Sequence, residues 1–130
     1  MKKYSLILSQ HVINTTKIKV YELCKNDKSL FELFFNEIKK DGNLLNNLAG
    51  AIRIVEDTSN LNRRPKAKFR EIQGHKLKCK IYEAKSGLIR IYLFHEEKTG
   101  RVIVTGGLKD NQNVNVKSVL KIIKEYQNEK

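Results

Sequence analysis

Apolar residues recur along this chain at two spacings, and the switches between them divide it into elements. Leu30, Phe31, Phe34, Phe35 and Ile38 fall at helical spacing behind Ser29-Leu-Phe-Glu32, a capping box, and Asp41-Gly42 supplies a stop. Leu44, Leu45, Leu48, Ala51, Ile52 and Val55 predict a second helix from about Asn43 to Asp57, making a helix hairpin with the first. Val116, Val119, Leu120, Ile123 and Tyr126 predict a third over Val114 to Gln127, with Lys117, Lys121 and Lys124 off the apolar face.

The remaining apolar stretches alternate with period two. Lys17 to Leu23 (KIKVYEL) reads as an N-terminal strand, and Tyr4 to Leu8 is an earlier candidate. Leu77 to Lys85, Leu88 to Glu96 and Arg101 to Leu108 follow one another across Ser86-Gly87 and Glu97-Lys98-Thr99-Gly100, connections short enough for an antiparallel meander. Thr58 to Arg64, followed by the single proline Pro65, reads as a loop. The order of elements predicts one α+β domain over residues 1–130: an N-terminal strand, a two-helix hairpin, a three-stranded antiparallel meander and a C-terminal helix.

Charge adds the first functional content. The net charge is +12, and residues 61 to 101 hold twelve Lys/Arg against four Glu. Clustering on that scale attracts polyanions, with nucleic acid the default partner. The basic residues alternate along strands and do not line an amphipathic helix, so a membrane surface fits less well. Alternation places Arg90, Tyr92 and Phe94 on one face of the middle strand and Lys76, Lys78, Lys80 and Tyr82 on one face of its neighbour. Basic and aromatic side chains thus share the face away from the core, where cations meet phosphate and rings meet bases, which is what holding RNA requires. The plainer reading is a solvated lysine face. Arg63 and Arg64 extend the basic surface into the loop.

Other chemistries find no support. There is no GxxxxGK[ST], HExxH or GxSxG pattern. Cys24 and Cys79 lack metal-ligand spacing and read as reduced packing thiols, so no metal is assigned. The apolar run in MKKYSLILSQ breaks at Ser9, Gln10 and His11, and no stretch approaches the roughly 20 apolar residues of a bilayer span; the expectation is a soluble, cytoplasmic protein.

Four segments then follow in a telling order: Phe69–Gly74 (FREIQG), Ile81–Lys85 (IYEAK), Ile89–Phe94 (IRIYLF) and Val102–Lys109 (VIVTGGLK). Their succession, over roughly residues 17 to 126, resembles the RelE/HigB superfamily of toxins from type II toxin-antitoxin pairs, in particular its HigB-like branch. The resemblance implies a RelE-like fold and an endoribonuclease that needs no metal or other cofactor, cleaves mRNA on the ribosome and inhibits translation. It also implies a cognate antitoxin as partner. Carried over by motif, Arg90 clamps the scissile phosphate, with Lys85 and Lys109 beside it; His95 is a secondary acid-base candidate, because imidazole titrates near neutrality. Lys76, Lys78, Lys80, Arg63, Arg64, Tyr82 and Tyr92 would bind RNA. Two alternatives stay open: a toxin-like nucleic-acid-binding domain without catalysis, and a ParE-like inhibitor of DNA gyrase.

Overall fold

A computed structural model describes residues 2–13 and 16–129. Strands β1 (Tyr4–Leu8), β2 (Val20–Lys25) and β3 (Lys28–Ser29) lead into helices α1 (Leu30–Ile38) and α2 (Gly42–Ser59). Strands β4 (Phe69–Glu71), β5 (Ile81–Ser86), β6 (Ile89–Glu96) and β7 (Gly100–Leu108) follow, then a short 3-10 turn and helix α3 (Gln112–Asn128). The predicted α+β class holds. The sheet is larger than expected: seven strands in the order β1-β2-β7-β6-β5-β4, with β3 paired on β2. The β5-β6-β7 meander lies within it, and β2 runs parallel to β7, so the sheet is mixed.

The extra strands have local causes. Asn26 and Asp27 both take positive φ, 53° and 67°, which lets a two-residue turn fold β3 back on β2. β4 pairs through Phe69↔Ala84, Arg70↔Glu83 and Glu71↔Tyr82 at the sheet edge. Asp41, read from the sequence as part of a stop for α1, instead caps α2, accepting from the amides of Asn43 and Leu44. Ser29 caps α1 as predicted, accepting from the Glu32 amide at 3.0 Å, while the Glu32 carboxylate engages His11.

Helices cover both faces of the sheet. On one, Phe31, Leu48, Ala51 and Val55 from α1 and α2 pack against Ile89, Ile91, Leu93 and Ile103. On the other, Val119, Ile123 and Tyr126 of α3 pack against Tyr92, Phe94, Val102 and Val104. β6 is therefore buried from Ile89 through Phe94 without a break. The face that was to carry RNA is a second core, because α3 lies across it.

The middle of β2 buries an acidic residue beside the N-terminus of α1. Glu22 is 2% exposed and accepts from Ser9 Oγ at 2.7 Å and Ser29 Oγ at 2.6 Å. Ser29 thus serves two elements at once, capping α1 and solvating a buried carboxylate. Replacing it (S29A) is expected to lower stability by about 1–3 kcal/mol through loss of the cap and of one donor, seen as a lower urea midpoint at unchanged slope. A midpoint equal to that of the parent would show that neither contact matters.

Burial also raises the pKa of the Tyr92, Tyr126 and Tyr4 phenols above the usual tyrosine value, reinforced by Glu83, Glu96 and Glu125 respectively. A phenol that keeps its proton in the folded state to higher pH than in the unfolded one contributes stability that is present below the unfolded pKa and lost as pH rises beyond it. The melting temperature should accordingly fall as pH rises past about 10, and phenolate absorbance of these three rings should appear together with unfolding. Their ionisation in a still-folded chain would contradict this.

Candidate nucleic-acid interface

The sequence-derived basic residues separate into two groups at opposite ends of the meander. At one end, Lys85 stands opposite Arg90, Arg90 stands opposite Gly107, and the Lys109 amide donates to the Leu88 carbonyl at 2.8 Å. The motif candidates Lys85, Arg90 and Lys109 are neighbours, as their order in the sequence implies.

Their exposure differs from expectation. Arg90 is 7% exposed, its Nη1 donates to the carbonyls of Gly87 (2.8 Å) and Ile89 (3.0 Å), and its Nε makes no hydrogen bond. Tyr92 is fully buried beneath α3 and cannot stack on a base there. Lys109 is exposed and Lys85 half-buried, so these two are the reachable cations of the group. Beside them lies a carboxylate the sequence reading did not single out: Glu83 is fully buried, and its Oε1 accepts from Arg70 Nε at 2.8 Å and Gln112 Nε2 at 3.1 Å. Arg70 is thereby committed to a partner and leaves the pool of free charge.

The second group surrounds the other end. Strand register, not alternation alone, decides its membership: Tyr82 stands opposite Leu93 and packs on the α2 side, so Tyr82 and Tyr92 lie on opposite faces. The Tyr82 ring stacks on Phe69, with centroids 5.0 Å apart and planes 16° from parallel. Against this pair lies Arg101, whose guanidinium carbon is 5.2 Å from the Phe69 centroid and 5.4 Å from that of Tyr82. Arg101 Nη1 donates to Thr58 Oγ1 (2.7 Å) and Ser59 Oγ (3.1 Å) in the last turn of α2, where the helix dipole favours a cation. Burial lowers its pKa below the usual arginine value.

Two depressions meet at Arg101. The larger, about 720 Å³, includes Tyr82, His95, Lys78 and Lys80 in its wall; the smaller, about 300 Å³, includes Phe69, Arg63 and Arg64. Lys78, Lys80 and Arg63 are exposed at the rim, while Arg64 pairs with Asp57. His95 stands opposite Arg101 across the β6–β7 ladder and is half-buried. Lys76 is exposed on the same basic segment but lines neither depression. Glu96, also in the larger wall, is engaged by Tyr126 Oη at 2.8 Å and Thr99 Oγ1 at 2.7 Å; Glu97 is exposed at the edge.

Sequence reasoning thus reached Tyr82, His95, Lys78, Lys80, Arg63 and Arg64 but missed Phe69 and Arg101. A signal for Arg101 exists, since alternation along β7 puts it on the face of the core residue Ile103, an unusual place for a lone arginine. Both cysteines are free thiols whose pKa burial raises, Cys24 inside the fold and Cys79 partly exposed in the larger depression. No helix among the described residues is long and apolar enough to cross a membrane. No family model, curated protein or solved structure matches the chain.

Proposed function

We propose that this protein binds single-stranded RNA along its basic edge and is a metal-independent endoribonuclease of the RelE/HigB toxin type that cleaves mRNA on the ribosome, inhibits translation and is restrained by an antitoxin. The observation that carries the RNA-binding part is the pairing of accessible cations with aromatic surface at one end of the sheet. Lys78, Lys80 and Arg63 stand exposed around the Tyr82–Phe69 stack. Phosphate neutralised by such side chains and bases resting on such rings are the two parts of sequence-tolerant single-strand binding.

Cleavage needs removal of the 2′-hydroxyl proton, neutralisation of charge on the phosphorane and protonation of the leaving 5′-oxygen. The adjacency of Lys85, Arg90 and Lys109 supports a phosphate-stabilising role for that end of the meander, with the exposed Lys109 and half-buried Lys85 reaching solvent. His95 stands at the other end of the meander, five residues or roughly 17 Å along β6 from Arg90, so it lies too far away to transfer protons at a phosphate held by Lys85 and Lys109. A second reading is favoured by one observation. Arg90, the residue that would clamp the scissile phosphate, is tied to two backbone carbonyls under α3, an arrangement suited to a domain that binds RNA without cutting it.

Incubation of the purified chain with mRNA in a translating extract, with the magnesium the ribosome needs, tests the nuclease reading. Fragmentation of the message is expected, reduced at least tenfold in the K85Q/K109Q variant; tight binding with intact message would instead establish the non-catalytic reading. Binding is tested separately by salt titration against oligoribonucleotides. Each phosphate contact to a single strand contributes about 0.7 to the salt slope, so K78Q/K80Q should reduce it by about 1.4. An unchanged slope would remove the groove from the RNA path.

A further inference from the structure

Two arginines are buried among the described residues, and of these Arg101 also lines open depressions. It is 8% exposed, its Nε is buried with no hydrogen-bond partner, and no carboxylate pairs with it among the described residues. Its two hydroxyl partners, Thr58 and Ser59, are neutral. A guanidinium removed from water keeps a large desolvation cost unless an anion offsets it. Arg101 also lines both depressions, and each has its own aromatic wall: Tyr82 in the larger, Phe69 in the smaller.

An exposed apolar side chain stands at the same spot. Leu61 occupies the position just past the α2 cap with φ 67°, a left-handed conformation that normally calls for glycine. Its side chain is 63% exposed and lines both depressions. The backbone there is the Schellman end of α2, with the Leu61 amide donating to the Thr58 carbonyl and the Asn62 amide to that of Asp57, both at 3.0 Å; that motif accounts for the left-handed φ but does not call for an exposed apolar side chain. That side chain provides an apolar ridge between the two depressions, beside the guanidinium.

We infer that the Arg101 junction is a two-nucleotide site for single-stranded RNA, in which the phosphodiester linking two nucleosides is held at Arg101 and the nucleosides occupy the depressions on the Tyr82 and Phe69 sides. The two volumes, about 720 and 300 Å³, fall in the range of small-ligand sites, about 300–1,000 Å³. The planar guanidinium suits a phosphodiester, and Leu61 and the rings offer the bases apolar surface. This site rests on the RNA-binding reading but not on the nuclease one, and it lies away from the Lys85–Arg90–Lys109 end.

The dinucleoside monophosphate ApA, adenosine and inorganic phosphate, titrated separately into the full chain and followed by NMR, test it. ApA is expected to shift the Arg101 Nε–H signal and the Tyr82 and Phe69 ring signals together, and to bind at least tenfold more tightly than either fragment. R101Q should abolish those shifts. L61G, which relieves the left-handed strain, should melt no lower than the parent yet bind ApA several-fold more weakly, separating a ligand role from a folding one. ApA shifts confined to Lys85 and Lys109, or ApA affinity unaltered in both variants, would overturn the two-nucleotide site while leaving RNA binding elsewhere intact. A chain that binds neither ApA nor longer RNA would overturn the RNA-binding reading itself.

Discussion

Everything in this fold follows from β6 being covered on both sides. Six consecutive residues, Ile89 to Phe94, are buried, because α1 and α2 close one face of the sheet and α3 the other. A strand in that position has no solvated face on which to leave polar groups, so its polar side chains turn inward, with Arg90 Nε and Tyr92 Oη left without a hydrogen bond. Arg90 bonds the carbonyls of Gly87 and Ile89, and the Tyr92 phenol lies close to Glu83. Glu83 is matched in turn by Arg70 from β4 and Gln112 from α3. The buried polar cluster therefore ties the sheet edge to the start of the last helix.

The same double coverage moves accessible charge to the ends and edge of the sheet. Lys109 is exposed after β7, and Lys78, Lys80 and Arg63 are exposed on the segments flanking β4. There the chain is short of regular structure and rich in cations, so side chains reach solvent without disturbing either core. Gly106 and Gly107 show how tightly the centre is closed: a Cβ at Gly106 would stand 2.2 Å from the Phe34 ring, and one at Gly107 2.1 Å from the Asn115 amide. Helices on opposite faces press against successive residues of one strand.

Arg101 belongs to this pattern and departs from it. Like Arg90 it is a buried arginine on a central strand, but its partners are two hydroxyls at the end of α2 and two aromatic rings, with open depressions on either side. Arg90 is enclosed by backbone and helix, whereas Arg101 lies where α2 ends and the basic loop begins. The resemblance in sequence drew attention to the first of these residues. Three-dimensional surroundings draw it to the second.

Much was legible in the sequence for direct physical reasons. Helical and strand periodicities located all three helices and the meander, since apolar spacing is fixed by the geometry of each element, and the Ser29 capping box stated where α1 begins. The clustering of cations between residues 61 and 101 located the exposed charge on the segments flanking β4. What alternation leaves open is which face of one strand continues which face of the next. Read strand by strand, Tyr82 and Tyr92 seemed to share a surface; the Tyr82↔Leu93 register puts them on opposite sides, because a one-residue offset reverses every side chain. Likewise the amphipathic stripe of α3 promised a docked helix but not the face it would cover, and that choice buried Tyr92 and Arg90. The parallel pairing of β2 with β7 brings distant segments together, so that Ile18 bonds Ser59 and Arg101 bonds Lys19 through their backbones. The groove at Arg101 is assembled from residues 18 to 127, and only the folded chain makes them neighbours.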